Sequence, residues 1–175
     1  MSESQVIFEI DQEVLDNIKK AFSDRSQVEI GLLNMGGDDG VKALTHEFGN
    51  DIAVTPAMSG YFKQRFGTYL KKPEIHIPQR SFMRKTVAHK GEDFIGWLAT
   101  TADIILDSIV SGNWTRQLET FGRVWVGYIK ECFDTRGFGQ WAPLSSLTVL
   151  KKGHDVPLVE TGRMRDHIQS QVVQR

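Results

Sequence analysis

The sequence predicts an α+β fold: a small antiparallel sheet packed against long helices, with a C-terminal extended and helical arm. Strand-like alternation supports the sheet, because Val28, Ile30 and Leu32 alternate with polar residues or glycine. Helical periodicity supports the helices, because apolar residues recur at helical spacing over roughly residues 81–110 and 114–133. A chain of 175 residues with 40% hydrophobic content is long enough to bury one sizeable core.

The first fifty residues predict alternating strands and helices. Residues 5–10 alternate loosely and are suited to a short strand. Asp11 is a suitable N-cap for an amphipathic helix over residues 12–23. A second strand over residues 27–32 is then followed by a short helix over residues 41–48.

The glycine-rich stretch between that strand and that helix, residues 35–40, invites comparison with a phosphate-binding loop. Such a loop needs a Lys-Ser or Lys-Thr pair that opens a helix after the glycines. This chain instead has Asp38 and Asp39, whose carboxylates would repel a phosphate. The sequence therefore predicts a plain loop or hairpin here.

His46 and Glu47 match half of a zinc-protease motif. The full motif places a second histidine four residues after the first, where this chain has Asn50. None of the five histidines is paired at metal-ligand spacing, and no nucleophile, base and orienting acid can be grouped. The sequence therefore predicts no catalytic residue, no metal site and no cofactor, and a hydrolase ranks last among the functions considered.

Residues 56–74 combine aromatic and cationic side chains, and two interpretations stay open. In the first, the stretch is an amphipathic helix that turns Phe62, Phe66 and Tyr69 toward the core. In the second, it belongs to a nucleic-acid-binding module over residues 61–85, in which bases stack on aromatic rings while cations neutralise phosphates. The candidate DNA-facing residues are Lys63, Arg65, Lys71 and Lys72.

The middle of the chain predicts an extended segment followed by the two long helical stretches. Residues 75–78 are extended, and Gly91 and Gly96 are possible breaks in the first helical stretch. The second stretch, residues 114–133, contains Cys132, whose apolar neighbours predict a buried thiol. Because one cysteine cannot form an internal disulfide, we expect folding in a reducing cytoplasm.

The C-terminal region predicts shorter elements. Gly137 is suited to the position that follows the second long helix. Ser145 or Ser146 can cap a short basic helix. Thr161 can cap a final helix over residues 162–173.

Charge is distributed unevenly, although the formal net charge is only -1. Residues 1–55 hold four Lys and Arg against eleven Asp and Glu, whereas residues 56–90 hold eight against one. The two regions can pair within one subunit, or between subunits in a head-to-tail contact. No run of about 18 apolar residues predicts a membrane span, and the polar, acidic first residues argue against a signal peptide.

Three pieces of the sequence together resemble one protein family. They read Ala-Leu-Thr-His-Glu-Phe-Gly at 43–49, Ile-Pro-Gln-Arg-Ser-Phe-Met-Arg at 77–84, and Trp-Ala-Pro-Leu-Ser at 141–145 continuing to Pro-Leu-Val-Glu-Thr-Gly-Arg-Met at 157–164. Their order is similar to that in the tailed-phage virion morphogenesis proteins, also called tail-completion, neck or minor tail proteins. The match extends over roughly residues 27–168.

The resemblance implies a structural, non-enzymatic virion protein that acts in head–tail joining or tail completion. It implies a homo-oligomeric ring, a hexamer or a dodecamer, in the neck or tail of the virion, made in the cytoplasm of the host bacterium. The implied partners are further copies of the chain, neighbouring connector, tail-tube or tail-terminator proteins, and DNA in the channel, with no membrane. Residues 56–74 depart from the family pattern as an insertion in a core domain, residues 1–138, and residues 139–175 form a docking arm.

Residues of the matching pieces are candidates for contact with a neighbouring subunit. Aromatic anchors and arginines dominate interface energies. Two alternatives stay open: the arginines are ordinary surface charges at a helix start, and the apolar anchors dock on helices of their own subunit. The candidates are Arg80, Phe82, Arg84, Trp141, Leu144, Leu158 and Met164.

Overall fold

The computed structural model describes residues 11–158 and 162–174, which fold into eight helices and four strands. The helices are α1 (Gln12–Ser23), α2 (Gly37–Phe48), α3 (Pro56–Phe66), α4 (Met83–Thr100), α5 (Ala102–Val110), α6 (Trp114–Asp134), α7 (Ser146–Lys152) and α8 (Arg163–Asp166). The strands are β1 (Gln27–Gly31), β2 (Asn50–Ala53), β3 (Glu74–Ile77) and β4 (Gln169–Val173). The predicted α+β class is confirmed, because a small antiparallel sheet packs against helices.

That sheet pairs β1 with β4 and packs on α6. The strands are antiparallel, with Ile30 opposite Ser170. Gly122 of α6 permits the close approach of the sheet, because a Cβ there would lie only 2.6 Å from the Ser170 hydroxyl oxygen. Two strands that are far apart in sequence, β1 and β4, thus form one layer of the fold against α6.

The predicted final helix over residues 162–173 is wrong. Only Arg163–Asp166 is helical, and Gln169–Val173 forms β4 instead. The backbone of Gln169–Val173 pairs with β1, which is distant in sequence, so local helix propensity could not predict the strand. Val172 and Val173 are β-branched and favour a strand. Thr161, the predicted cap, lies outside the described residues.

The N-terminal predictions are confirmed in part. The α1 helix has the predicted bounds, and the Asp11 carboxylate accepts from the Glu13 amide at 2.9 Å. The predicted loop at residues 35–40 is wrong in its second half, because α2 begins at Gly37. Its first turn carries Asp38 and Asp39, which the positive end of the helix dipole favours. The predicted strand over residues 5–10 lies outside the described residues.

One of the two interpretations of residues 56–74 treats the stretch as an amphipathic helix, but only its first part is helical. The α3 helix ends at Phe66, where Gly67 adopts a left-handed backbone conformation with φ 69°. Tyr69 is therefore not on a helix, and it is 55% exposed rather than turned to the core. The chain continues into β3, which is the extended segment predicted at residues 75–78 and pairs antiparallel with β2.

The long helices pack through aromatic rings. α4 and α5 are separated at Thr101, whose hydroxyl donates to the Trp97 carbonyl at 2.8 Å, and not at the predicted Gly91 or Gly96. Ring contacts between α4 and α6 join Phe94, Trp97, Phe121 and Trp125. No helix in the described part of the chain is long and apolar enough to cross a bilayer.

The main core combines residues from both halves of the chain. Cys132 is fully buried, as predicted, and burial raises the pKa of its thiol to about 11. Trp141, Leu158 and Ile168 belong to the same core, so the segment after residue 138 packs into the fold rather than projecting from it. The core residues are Ala43, Phe82, Ile129, Cys132, Phe133, Trp141, Leu158 and Ile168.

The chain leaves α6 through a left-handed turn that places Trp141. The Gly137 amide donates to the Cys132 carbonyl at 2.7 Å, and the Arg136 amide donates to the Phe133 carbonyl at 3.2 Å. These bonds make Arg136 the first residue after the cap and Gly137 the second, one position later than predicted. Gly137 has φ 69°, and a Cβ added there would clash with the Trp141 indole.

Substituting Gly137→Ala should destabilise the fold, because the new Cβ would overlap the Trp141 indole as well as strain the backbone. We expect the free energy of unfolding to fall by about 3 kcal/mol. Gly139→Ala is the matched control, since Gly139 also has a positive φ, of 76°, but a Cβ added there would meet nothing within 4 Å. Urea unfolding measures both; equal losses would contradict a role for the indole contact.

Candidate interaction surfaces

The carboxylate of Glu47, on the last turn of α2, is the centre of a buried hydrogen-bonded junction. Oε1 accepts from the Ser81 hydroxyl at 2.6 Å and from the Arg84 amide at 3.2 Å. Oε2 accepts from the amides of Phe82 at 2.7 Å and Met83 at 3.1 Å. The Arg84 guanidinium adds a charge-assisted bond from Nε to Oε1 at 3.1 Å. Glu47 is only 6% exposed, yet each carboxylate oxygen has at least two donors.

These contacts make Glu47 the N-terminal cap of α4. The first amides of a helix have no partners within the helix, and they carry the positive end of its dipole. Phe82 occupies the N-cap position and offers no side-chain oxygen. A carboxylate from a different helix therefore takes the role that a local Ser or Asp usually has, which fixes α2 against the start of α4.

The pKa of Glu47 reflects a competition between burial and hydrogen bonding. Burial acts to raise it, whereas hydrogen bonds from the Ser81 hydroxyl and from three amides at the start of α4 lower it. The result lies below the ordinary glutamate value of 4.5. Glu47 is therefore ionised at neutral pH, and the junction contains a buried negative charge.

The segment after α6 joins the same junction. Arg80, only 4% exposed, donates from Nε to the Ala142 carbonyl and from a terminal nitrogen to the Pro143 carbonyl, both at 2.9 Å. The Trp141 indole donates to the Ser81 carbonyl at 3.0 Å. Burial lowers the pKa of Arg80. Hydrogen bonds thus connect three segments that are far apart in sequence: the end of α2, the start of α4 and residues 141–143.

Most of the predicted interface residues belong to this interior. The four that are no more than 9% exposed are Arg80, Phe82, Trp141 and Leu158. Their side chains are buried within the chain and offer no surface to a neighbour. For Trp141 and Leu158 this is the alternative of docking on their own subunit, whereas buried Arg80 is neither an interface cation nor an ordinary surface charge. Leu144 and Met164 are half-buried. Arg84 is 55% exposed, and its guanidinium lies 4.5 Å from the centre of the Phe48 ring.

His46 lies beside this junction and is half-buried. Its Nδ1 is buried without a hydrogen-bond partner, and its pKa is lowered to about 4, first by burial and then by the positive charges of Arg80 and Lys152. The imidazole is therefore neutral at physiological pH. Within the residues that the structure describes, no group of three or more His, Cys, Asp or Glu side chains could hold a metal ion.

The predicted DNA-facing residues lie on one module, which consists of β2, α3 and β3 and which we call the basic module (residues 50–77). All four are exposed: Lys63, Arg65, Lys71 and Lys72. The Lys63 ammonium lies 4.5 Å from the centre of the Tyr69 ring. Tyr61 and Tyr69 are themselves 53% and 55% exposed. Exposed cations and aromatic rings thus occur together on this module, and Lys63 and Tyr69 are in direct contact.

An apolar groove of about 280 Å³ lies between this module and α7. Its floor is formed by Phe62, Phe66, Leu70 and Ile75. Ser145, Thr148, Lys151 and Lys152 line the α7 side. No acidic side chain lines the groove among the described residues. The two lysines that follow Leu70, Lys71 and Lys72, line an adjoining pocket.

A surface of opposite character lies on α5, which packs on α1, α4 and α6 and turns its other side to solvent. Asp103 and Asp107 lie on that side, and α5 contains no Lys or Arg. In the described part of the chain neither carboxylate has a cationic partner. Three apolar side chains accompany them and are 40–61% exposed: Ile104, Leu106 and Val110. We call this surface the acidic face.

Sequence reasoning missed both Glu47 and the acidic face. One signal for Glu47 was present, because it follows Ala43 by one helical turn and so shares the buried side of α2. The α5 surface was hidden because Ile104 looks like a core residue when the whole stretch 81–110 is treated as one helix. No protein-family model matches the chain, and no curated protein or solved structure matches it significantly.

Substituting Glu47→Gln should lower the free energy of unfolding by about 3 kcal/mol at neutral pH, because the amide group would face hydrogen-bond donors. The pKa of Glu47 is depressed on folding, so its contribution is complete above the ordinary value of 4.5 and is lost as pH falls through the folded-state pKa. The stability difference between wild type and variant should therefore shrink below pH 4.5.

Urea unfolding at a series of pH values measures this difference. Glu92→Gln on the exposed side of α4 is the control and should change little at any pH. The difference in unfolding free energy between wild type and Glu47→Gln could also stay constant down to about pH 3. That result would contradict the idea that an ionised Glu47 causes the difference.

Proposed function

We propose that the chain is a structural virion protein of a tailed phage or prophage that acts in head–tail joining or tail completion. It would do so by assembling into a ring in the neck or tail and by contacting the neighbouring assemblies on either side. The chemistry required is recognition rather than turnover, so the relevant features are surfaces and not a reactive group.

The observation that supports this proposal most is the convergence of the matching segments. The pieces at residues 43–49, 77–84 and 141–145 lie far apart in sequence, yet hydrogen bonds around Glu47 join all three. Short patterns that matched a family by chance would have no reason to meet in space. Their contact indicates that they form one structural unit, as a shared family fold would require.

A second observation concerns the exposed surfaces. A ring subunit needs two unlike, complementary surfaces, because a heterologous contact repeats around the closed circle. The basic module and the acidic face are unlike surfaces of this kind. Together they favour self-assembly over a monomeric role.

Virions or induced prophage particles from the strain that encodes the chain provide the test. We expect mass spectrometry of purified particles to detect the protein, and electron microscopy of the purified chain to show rings of sixfold or twelvefold symmetry. Deleting the gene should leave unjoined heads and tails, and plasmid-borne wild type should restore infectious particles. Absence of the protein from particles, with no defect on deletion, would refute the proposal.

Nucleic-acid binding remains a second candidate, because exposed cations and tyrosines occur together on the surface of the basic module. If this surface binds DNA, the affinity of Lys71→Glu with Lys72→Glu should fall and the slope of log K against log salt should decrease by about 2. Lys19→Glu with Lys20→Glu on α1 makes the same change in net charge elsewhere and is the control. Fluorescence anisotropy with a short duplex measures it, and no binding at low salt would dismiss this candidate.

A further inference from the structure

The outward side of α5 has a composition that is unusual for a surface helix. An amphipathic helix keeps its apolar residues on one side, whereas α5 is apolar on both. Ile104 and Leu106 are 61% and 58% exposed, although Ile105 and Ile109 already supply the inner contacts. Exposed apolar side chains clustered in this way mark a contact surface.

The carboxylates on the same side restrict what can cover it. Asp103 and Asp107 are one helical turn apart and lie among the exposed apolar residues. A purely apolar partner would leave two charges without partners in the interface, which is costly. The partner must therefore offer an apolar surface with cations beside it.

The groove between the basic module and α7 offers that combination. Its floor is made by Phe62, Phe66, Leu70 and Ile75. Lys151 lines the groove on the α7 side. Lys71 and Lys72 are exposed directly after Leu70, line an adjoining pocket and have no carboxylate partner within the described residues. Apolar side chains can thus enter the groove while the flanking lysines meet carboxylates.

We propose that α5 of one copy docks into this groove of a second copy. Leu106 and Val110, one helical turn apart, would enter the apolar groove, and Asp103 and Asp107 on the adjacent side of the helix would pair with Lys71 and Lys72. The two surfaces are different, so the contact is heterologous and repeats from copy to copy. This inference rests on the self-assembly in the proposed function and names the surfaces that would carry it.

Charge reversal on each surface tests the contact. Lys71→Glu with Lys72→Glu, and separately Asp103→Lys with Asp107→Lys, should each weaken self-association at least about tenfold, because like charges would then meet. Sedimentation velocity of the full chain over a range of concentrations measures the association, and circular dichroism confirms that each variant is folded. Glu92→Lys with Glu119→Lys has the same charge change as the aspartate variant, at exposed sites on α4 and α6, and should associate like wild type.

Mixing provides the decisive measurement. When the two weakened variants are mixed in equal amounts, the α5 helix of each variant carries charges opposite to those beside the groove of the other. Association should therefore recover to within about threefold of wild type. Carrying all four substitutions in one chain should recover it as well. If Lys71→Glu with Lys72→Glu weakened association only because DNA binding was lost, reversing the charges of Asp103 and Asp107 would not restore association.

Three results would overturn the inference. They are a wild type that remains monomeric throughout, variants that associate no more weakly than the control, and weakened variants that fail to recover on mixing. If wild type assembles but the variants behave like the control, the ring uses other surfaces and the proposed function still stands. Failure of the proposed function is detected separately, by absence of the chain from phage particles.

Discussion

A single buried carboxylate, that of Glu47, imposes the main geometric constraint on this fold. An ionised group in the interior must be surrounded by donors, or its desolvation is not compensated. Here the donors are the free amides that start α4, together with Ser81 and Arg84. Because the amide N–H groups have fixed directions, these bonds orient α2 relative to the start of α4. The Trp141 indole then locks the later segment to Ser81, so the constraint reaches the C-terminal part of the chain.

The same constraint separates interior from surface. Arg80 and Trp141 are the kinds of residue that dominate protein interfaces, yet both are used to hold the subunit together. Surfaces that are open to contact lie at the periphery, and they include the basic module and the outer side of α5. The segments that resemble a family and the surfaces suited to contact are thus different parts of the molecule. The hydrogen-bonded junction around Glu47 orients the elements of the fold, and the peripheral surfaces are the parts that are open to contact.

Local signals in the sequence predicted local structure well. The Asp11 cap, the bounds of α1 and the Ser145 cap all depend on neighbouring residues, and the structure has them as expected. Some predictions failed locally, as at Gly67, which ends α3. Others failed where a distant segment decided the outcome. The β4 strand forms because β1 pairs with it, and Glu47 is buried because α4 needs a cap. For the candidate site, the cations of the basic module were identified from sequence, but the acidic face required knowledge of which side of α5 was covered.

The pairing of β1 with β4 has a further consequence for biogenesis. The Gln171 amide donates to the Glu29 carboxylate at 2.9 Å across 142 positions of sequence. During translation β1 emerges early and has no strand partner until β4 leaves the ribosome, so the sheet forms after most of the helices can already have folded. A polypeptide whose synthesis stops before β4 keeps an incomplete sheet. Ribosome stalling or nonsense errors therefore produce chains that lack one strand of this sheet and the layer it forms against α6.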